Sequence, residues 1–176
     1  MKLKSIHSQA GASMVEILVT IVIVATGLLG VAGLQTSSMR YLKTANQRSE
    51  ATQAAYDISE RMRSNGLGVI AGNYLQTASY TSQAGSMPSV PTCTSALCSP
   101  SDVANKDKAE WQRALASRLN GGAGYIVTTN VAGKVLYDVI VMWKEPGYSE
   151  TDPACPQGNP PAPGAGVRCF SVRFTP

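Results

Sequence analysis

The sequence has one histidine in 176 residues, His7, in a basic N-terminal stub with Lys2 and Lys4 and no acid before Glu16. If that stub is removed, no histidine remains. Ser-His-Asp triads, imidazole bases and histidine metal sites are then excluded. Strong charge is lacking as well. The formal net charge is +4, and without the stub lysines the chain carries 13 basic and 11 acidic residues. That balance leaves no nucleic-acid footprint. Proline is absent before Pro88.

Two long stretches carry no charge. One covers 17–39, and the other covers 64–101. The mean hydropathy of the whole chain is near zero, yet the first stretch is strongly apolar and the second is small and polar. This unevenness excludes a uniform globule, a disordered polyelectrolyte and a multi-span membrane protein. Within 17–34, every position except Thr20 and Thr26 is apolar or glycine. A helix of that length spans about 27 Å, close to the roughly 30 Å hydrocarbon core of a bilayer. The run is longer than the apolar part of a secretory signal, and Glu16 at its start gains an ordinary signal nothing. Lys2 and Lys4 hold the N-terminal end in the cytoplasm, so the remainder is exported.

The start of that run reads Gly11-Ala12-Ser13-Met14-Val15-Glu16-Ile17-Leu18-Val19. It resembles the class III signal of type IV prepilins: a short basic leader ending in Gly, four residues, Glu, and an apolar helix. The resemblance implies a leader over 1–11, cut by prepilin peptidase between Gly11 and Ala12. It also implies N-methylation of Ala12 and a role for Glu16 as the assembly glutamate. A carboxylate in an apolar helix is costly unless paired, and Glu16 lies about one turn from the new Ala12 amine. Pairing with a neighbouring subunit's amine favours insertion into a growing filament. An interfacial Glu wetted by headgroups is the plainer reading. Gly27, Gly30 and Gly33 recur at every third position, either for close helix approach or as glycines that membrane helices tolerate.

The helix is expected to run on over 12–65, with 12–35 as membrane span and filament core and 36–65 amphipathic. A helix over 13–64 is roughly 75–80 Å long. Ala51, Ala54, Ala55, Ile58 and Met62 form one apolar face. Asp57 and Arg61 form an i,i+4 pair, with Ser59 and Arg63 on the polar side. Asn65-Gly66 supplies the stop. The string Ile58-Ser59-Glu60-Arg61-Met62-Arg63-Ser64-Asn65 is similar to the end of this helix in PilV-like minor pilins.

Residues 66–101 form an uncharged connecting region, either packed on the head or a linker. A helix over 102–119, capped by Ser101 or Asp102, follows with Trp111 as core anchor. Cys98-Ser99-Pro100 and Glu110-Trp111 are again similar to the PilV-like pattern. Strands are expected near 124–131, 134–144 and 167–175, with Ala132-Gly133 as a hairpin turn. The last strand is expected to bury Phe170, Val172 and Phe174. Six of the ten prolines fall within 146–166.

All four cysteines follow the apolar run. An even number in an exported domain reads as two disulfides, with three possible connectivities. Local pairing, Cys93–Cys98 and Cys155–Cys169, closes the short loops. A zinc site fits these spacings poorly. A C-terminal disulfide loop resembles the D-region of pilins.

The fold class expected is therefore α+β, a pilin fold: a long N-terminal helix packed on a small antiparallel sheet head, 102–176, with a second helix. The function implied is that of a minor prepilin which primes or caps type IV pilus assembly. The implied partners are prepilin peptidase, other minor pilins and the major pilin, a pilus tip adhesin, the inner-membrane assembly platform and the membrane itself, crossed once. The head is placed in the periplasm and later at the pilus surface. No cofactor, metal or nucleic acid is expected. A type II secretion pseudopilin shares the Gly11/Glu16 logic. A signal-anchored enzyme would need a Ser/Lys arrangement, and neither Lys106 nor Lys108 has a motif around it.

Overall fold

The computed structural model describes residues 11, 13–76, 89–92, 98–157 and 163–175. They form helix α1 (Met14–Ser64), helix α2 (Gly66–Ile70), helix α3 (Pro100–Arg118) and strands β1 (Ala123–Val131), β2 (Lys134–Lys144) and β3 (Val167–Phe174). The chain divides into two compact units at Lys43 and Thr44.

In the first unit, the described residues are helical from Met14 onward. Every residue from 14 to 43 is exposed, including Ile17, Leu18, Ile21, Ile23, Leu28 and Leu29. Thr20 and Thr26 donate their hydroxyls back to Ile17 O and Ile23 O. Their polar atoms are thereby satisfied within the helix, as an apolar surrounding demands.

In the second unit, α1 contributes Ala51, Ala54, Ala55, Ile58 and Met62 to the core, at the spacing of one helical face. Ser59 is a correction. It is buried and donates to Ala55 O at 2.7 Å, so it does not share the polar side with Arg63. A serine hydroxyl bonded back one turn needs no water.

Helix α3 begins at Pro100, earlier than the expected 102. Its N-cap is Ser99, whose hydroxyl accepts from Asp102 N while the Asp102 carboxylate accepts from Ser99 N. Pro100 occupies the first turn, where a missing N–H costs nothing.

The sheet has the order β1-β2-β3, antiparallel throughout. The turn at Ala132 and Gly133 has positive φ at both residues, the backbone that a tight two-residue hairpin requires. On the face toward α1 and α3 lie Ile126, Val139, Val141, Trp143 and Phe174, joined by partly buried Phe170 and Val172. The opposite face is also covered near the start of β3, where Val167 and Cys169 join Tyr125, Ile140, Met142 and Cys155 in a second cluster. At its beginning the last strand is therefore buried on its outer face, where the disulfide loop folds over Val167 and Cys169, and half-buried at Phe170 on the other.

Candidate assembly surfaces

The first candidate surface is the exposed part of α1. Glu16 stands in its first turn, and its backbone N–H reaches Ser13 O at 3.0 Å and Ser13 Oγ at 3.3 Å. Ser13 thus caps the helix three positions before a glutamate, the sequence of a capping box. A carboxylate at that position also complements the positive end of the helix dipole. Gly27, Gly30 and Gly33 have open space where a side chain would stand. Among the described residues, nothing uses their smallness. Gly11 is exposed, and Ala12 lies outside the described residues.

The second candidate surface is the charged seam between α1 and α3. Arg61 pairs with Asp57 at 3.1 Å, Glu110 at 2.6 Å and Asp107 at 3.4 Å. Burial alone would lower the Arg61 pKa, but these carboxylates prevail and raise it. Tyr74 OH donates to Asp107 Oδ2 at 2.6 Å. Burial and that bond raise the phenol's pKa well above its ordinary value. Asn65 ties the corner together. Its Nδ2 donates to Pro100 O at 2.8 Å and Tyr74 OH at 3.2 Å, and its Oδ1 accepts from Gly68 N at 3.2 Å. Arg63 pairs with Glu60 and lies 5.3 Å from the Phe174 ring centre. The two lysines weighed for catalysis are engaged. Lys106 pairs with Glu110 at 3.9 Å, and Lys108 Nζ donates to Asn73 O at 2.6 Å.

The third is the C-terminal loop. Cys155 and Cys169 are disulfide-bonded, with Cα atoms 5.0 Å apart. Cys98 is disulfide-bonded too, while its expected partner Cys93 lies outside the described residues. Asp152 organises the loop. Its carboxylate accepts from Ala154 N at 3.0 Å and Cys169 N at 3.2 Å. Arg168 links Asp152 at 3.6 Å to Glu145 at 3.1 Å and lies over the Tyr148 ring. Sequence reasoning passed over Asp152, although an acid two positions before Ala154 in a proline-rich loop is an Asx-turn signal.

On the outer face of the sheet, Asp138 binds Arg173 through Nε at 2.5 Å and Nη2 at 3.0 Å, and accepts from Thr129 Oγ1 at 2.7 Å. Burial works against the ionised form, but these donors win and hold the Asp138 pKa below its ordinary value. Among the described residues, no group of three or more His, Cys, Asp or Glu side chains is placed to hold a metal ion.

These elements define a class. A long N-terminal helix, apolar at its start, joins a head of three antiparallel strands and an additional helix; this is the α+β pilin fold. The family model described as Tt1218-like, type IV pilin Tt1218, matches residues 33–109, and the match supports a type IV pilin. It takes in the Ile58–Asn65 string, the uncharged region after it and the first half of α3, and leaves out Gly11 and Glu16. The likeness is thus independent of the N-terminal motif. No curated protein and no solved structure matches the chain. Pilins are structural proteins, so the match supports assembly with other pilins and membrane association through the apolar helix.

Proposed function

We propose that the chain is a PilV-like minor prepilin. Prepilin peptidase cuts between Gly11 and Ala12, and Ala12 becomes the methylated N-terminus. Glu16 acts as the assembly glutamate. The protein waits in the inner membrane with its N-terminus in the cytoplasm and its head in the periplasm. It then joins other minor pilins and the major pilin on the inner-membrane platform, priming or capping a filament that carries a tip adhesin.

One observation carries this reading. Glu16 stands in the first turn of α1, directly before an uncharged run of exposed apolar helix, and among the described residues no hydrophobic side chain before Ala51 enters the core. Such a helix needs an apolar environment from elsewhere, first lipid and then neighbouring helices. Its carboxylate needs a cation there, and the freed amine of Ala12 on an adjacent subunit supplies one. The test is mass spectrometry of the mature N-terminus from the native host. A chain starting at methylated Ala12 is expected. An intact Met1, or a cut beyond the apolar run, would overturn the proposal.

A further inference from the structure

The uncharged run of α1 ends at Met39, and the first charges beyond it are Arg40 and Lys43. Both are exposed, and Tyr41 beside them is 77% exposed. All three belong to the first unit. We propose that they form a collar that binds the phosphates of anionic phospholipid headgroups at the exported face of the membrane. The collar rests on the reading of α1 as a membrane span and adds a lipid partner to it.

Helix length places the collar. With Glu16 at the cytoplasmic edge, a helix rising about 1.5 Å per residue leaves the roughly 30 Å hydrocarbon core near Thr36. The apolar residues give way there to Gln35, Thr36, Ser37 and Ser38. Arg40 follows about 6 Å further on, within the headgroup layer. Side chains on a helix lean toward its N-terminus, so Arg40 and Lys43, one turn apart on one face, reach back toward the bilayer. Their stems cover apolar surface while their charged ends meet the headgroups. Tyr41 has an apolar ring and a polar tip, the combination suited to that level.

Charge names the partner. Among the described residues, Arg40 and Lys43 have no ion pair and no side-chain hydrogen bond, whereas Arg48 in the second unit pairs with Glu145. No acid occurs between Glu16 and Glu50. The segment therefore offers donors and positive charge with nothing in it to neutralise them. Topology does not account for these cations, because on the exported side they oppose the orientation that Lys2 and Lys4 set. Once the leader is cut, Lys2 and Lys4 leave with it, and Arg40 and Lys43 are the side-chain cations that flank the span. The guanidinium fork of Arg40 matches a phosphate, and anionic lipids concentrate phosphates at this depth.

The full chain, carrying ¹³C at arginine Cζ, is reconstituted into vesicles of phosphatidylcholine and phosphatidylglycerol in a phosphate-free buffer. Lipid is then the sole source of phosphorus. Rotational-echo NMR is expected to show an arginine signal dephased by lipid ³¹P, and Arg40→Gln to lose that dephased fraction. In the same vesicles, electron spin resonance compares spin-labelled phosphatidylglycerol with spin-labelled phosphatidylcholine at the protein surface. The preference for phosphatidylglycerol is expected to fall at least about twofold in Arg40→Gln/Lys43→Gln and to persist in Arg40→Lys. An arginine signal untouched by ³¹P would leave these cations to protein carboxylates and overturn the collar. Dephasing that survives Arg40→Gln, or a lipid preference unchanged in the double variant, would overturn it as well. A chain that fails to insert would overturn the membrane reading together with the collar, whereas the other failures leave that reading standing. The peptidase reading stands or falls separately, on the mature N-terminus.

Discussion

The ring of Trp111 occupies the space where a side chain on Gly124 would stand. The indole comes from α3, is 1% exposed, and donates to Ala54 O on α1 at 2.9 Å. One residue thus ties α3 to α1 and to β1. Glycine is required at 124 by contact, not by backbone conformation. Gly124→Ala should destabilise the head by about 1–3 kcal/mol, the usual penalty of overpacking. Thermal denaturation in micelles, followed by tryptophan fluorescence, measures it. An unchanged midpoint would mean that Trp111 yields more easily than its packing suggests.

Asn65 stands at a turn that the sequence marks only as a helix stop. In the fold it caps α2 and holds both Pro100 O and the Tyr74 hydroxyl. Asn65→Ala removes the cap and leaves Pro100 O short of a partner. A loss of about 1–2 kcal/mol is expected in urea denaturation. Asn65→Asp keeps the capping oxygen but cannot donate to Pro100 O, so it should recover only part.

Tyr74 links stability to alkaline pH. Below about pH 10, the ordinary phenol value, it is protonated in both folded and unfolded chains. Above it, the unfolded chain releases the proton and the folded one keeps it, because burial and the Asp107 bond raise the folded pKa. The stabilisation is complete below the unfolded pKa and is lost as pH rises toward the folded one. Tyr137 shifts the same way through burial, and Lys108 is lowered by burial and shifts the balance oppositely. The difference between wild type and Tyr74→Phe isolates one group. The variant should be about 1–2 kcal/mol less stable at neutral pH, and the gap should close above about pH 10. A gap that stays constant to about pH 11, well past the ordinary phenol value, would refute the linkage.

The readable and unreadable parts of the sequence differ for physical reasons. Ala51, Ala54, Ala55, Ile58 and Met62 are legible because a helix buries one face at fixed spacing. Val139, Val141 and Trp143 are legible because a strand alternates. The region after Asn65 follows neither period. Gly66–Ile70 is a short helix that contains two glycines, against intrinsic propensity. It forms because Asn65 caps it, Val69 enters the core, and Tyr137 OH donates to Val69 O at 2.6 Å. Tyr74 is fully buried, and Gln76 pairs with Ile126 at the edge of β1. Apart from the Asn65 cap, these contacts join positions far apart along the chain, and no local pattern records them. The same holds for Asp152, whose role arises only where the loop folds back on β3.

Closing the Cys155–Cys169 loop, with a sequence separation of 14, is worth about 3 kcal/mol by chain entropy. The loop also places Asp152 against Cys169 N and Arg168. Replacing both cysteines by serine should lower stability by about that amount. It should also make residues 152–157 more sensitive to protease, since the Asp152 bonds lose their anchor. Limited proteolysis read by mass spectrometry, beside the wild type with and without reductant, checks both effects. Equal cleavage in all samples would show that the Asp152 network holds the loop alone.

Glu16 has two distinct candidate roles, and one pair of variants separates them. As part of a cap with Ser13, it stabilises the first turn of α1, and Gln at that position keeps the capping geometry. As an assembly glutamate, it needs its negative charge to meet a neighbouring amine, and Gln fails as Ala does. On the proposed reading, Glu16→Gln and Glu16→Ala should both leave the precursor processed between Gly11 and Ala12. Both should lower the number of surface pili, counted by electron microscopy after expression in the native host. If Glu16→Gln restores piliation to the wild-type count while Glu16→Ala does not, the side chain serves the helix end and the charge is not used in assembly.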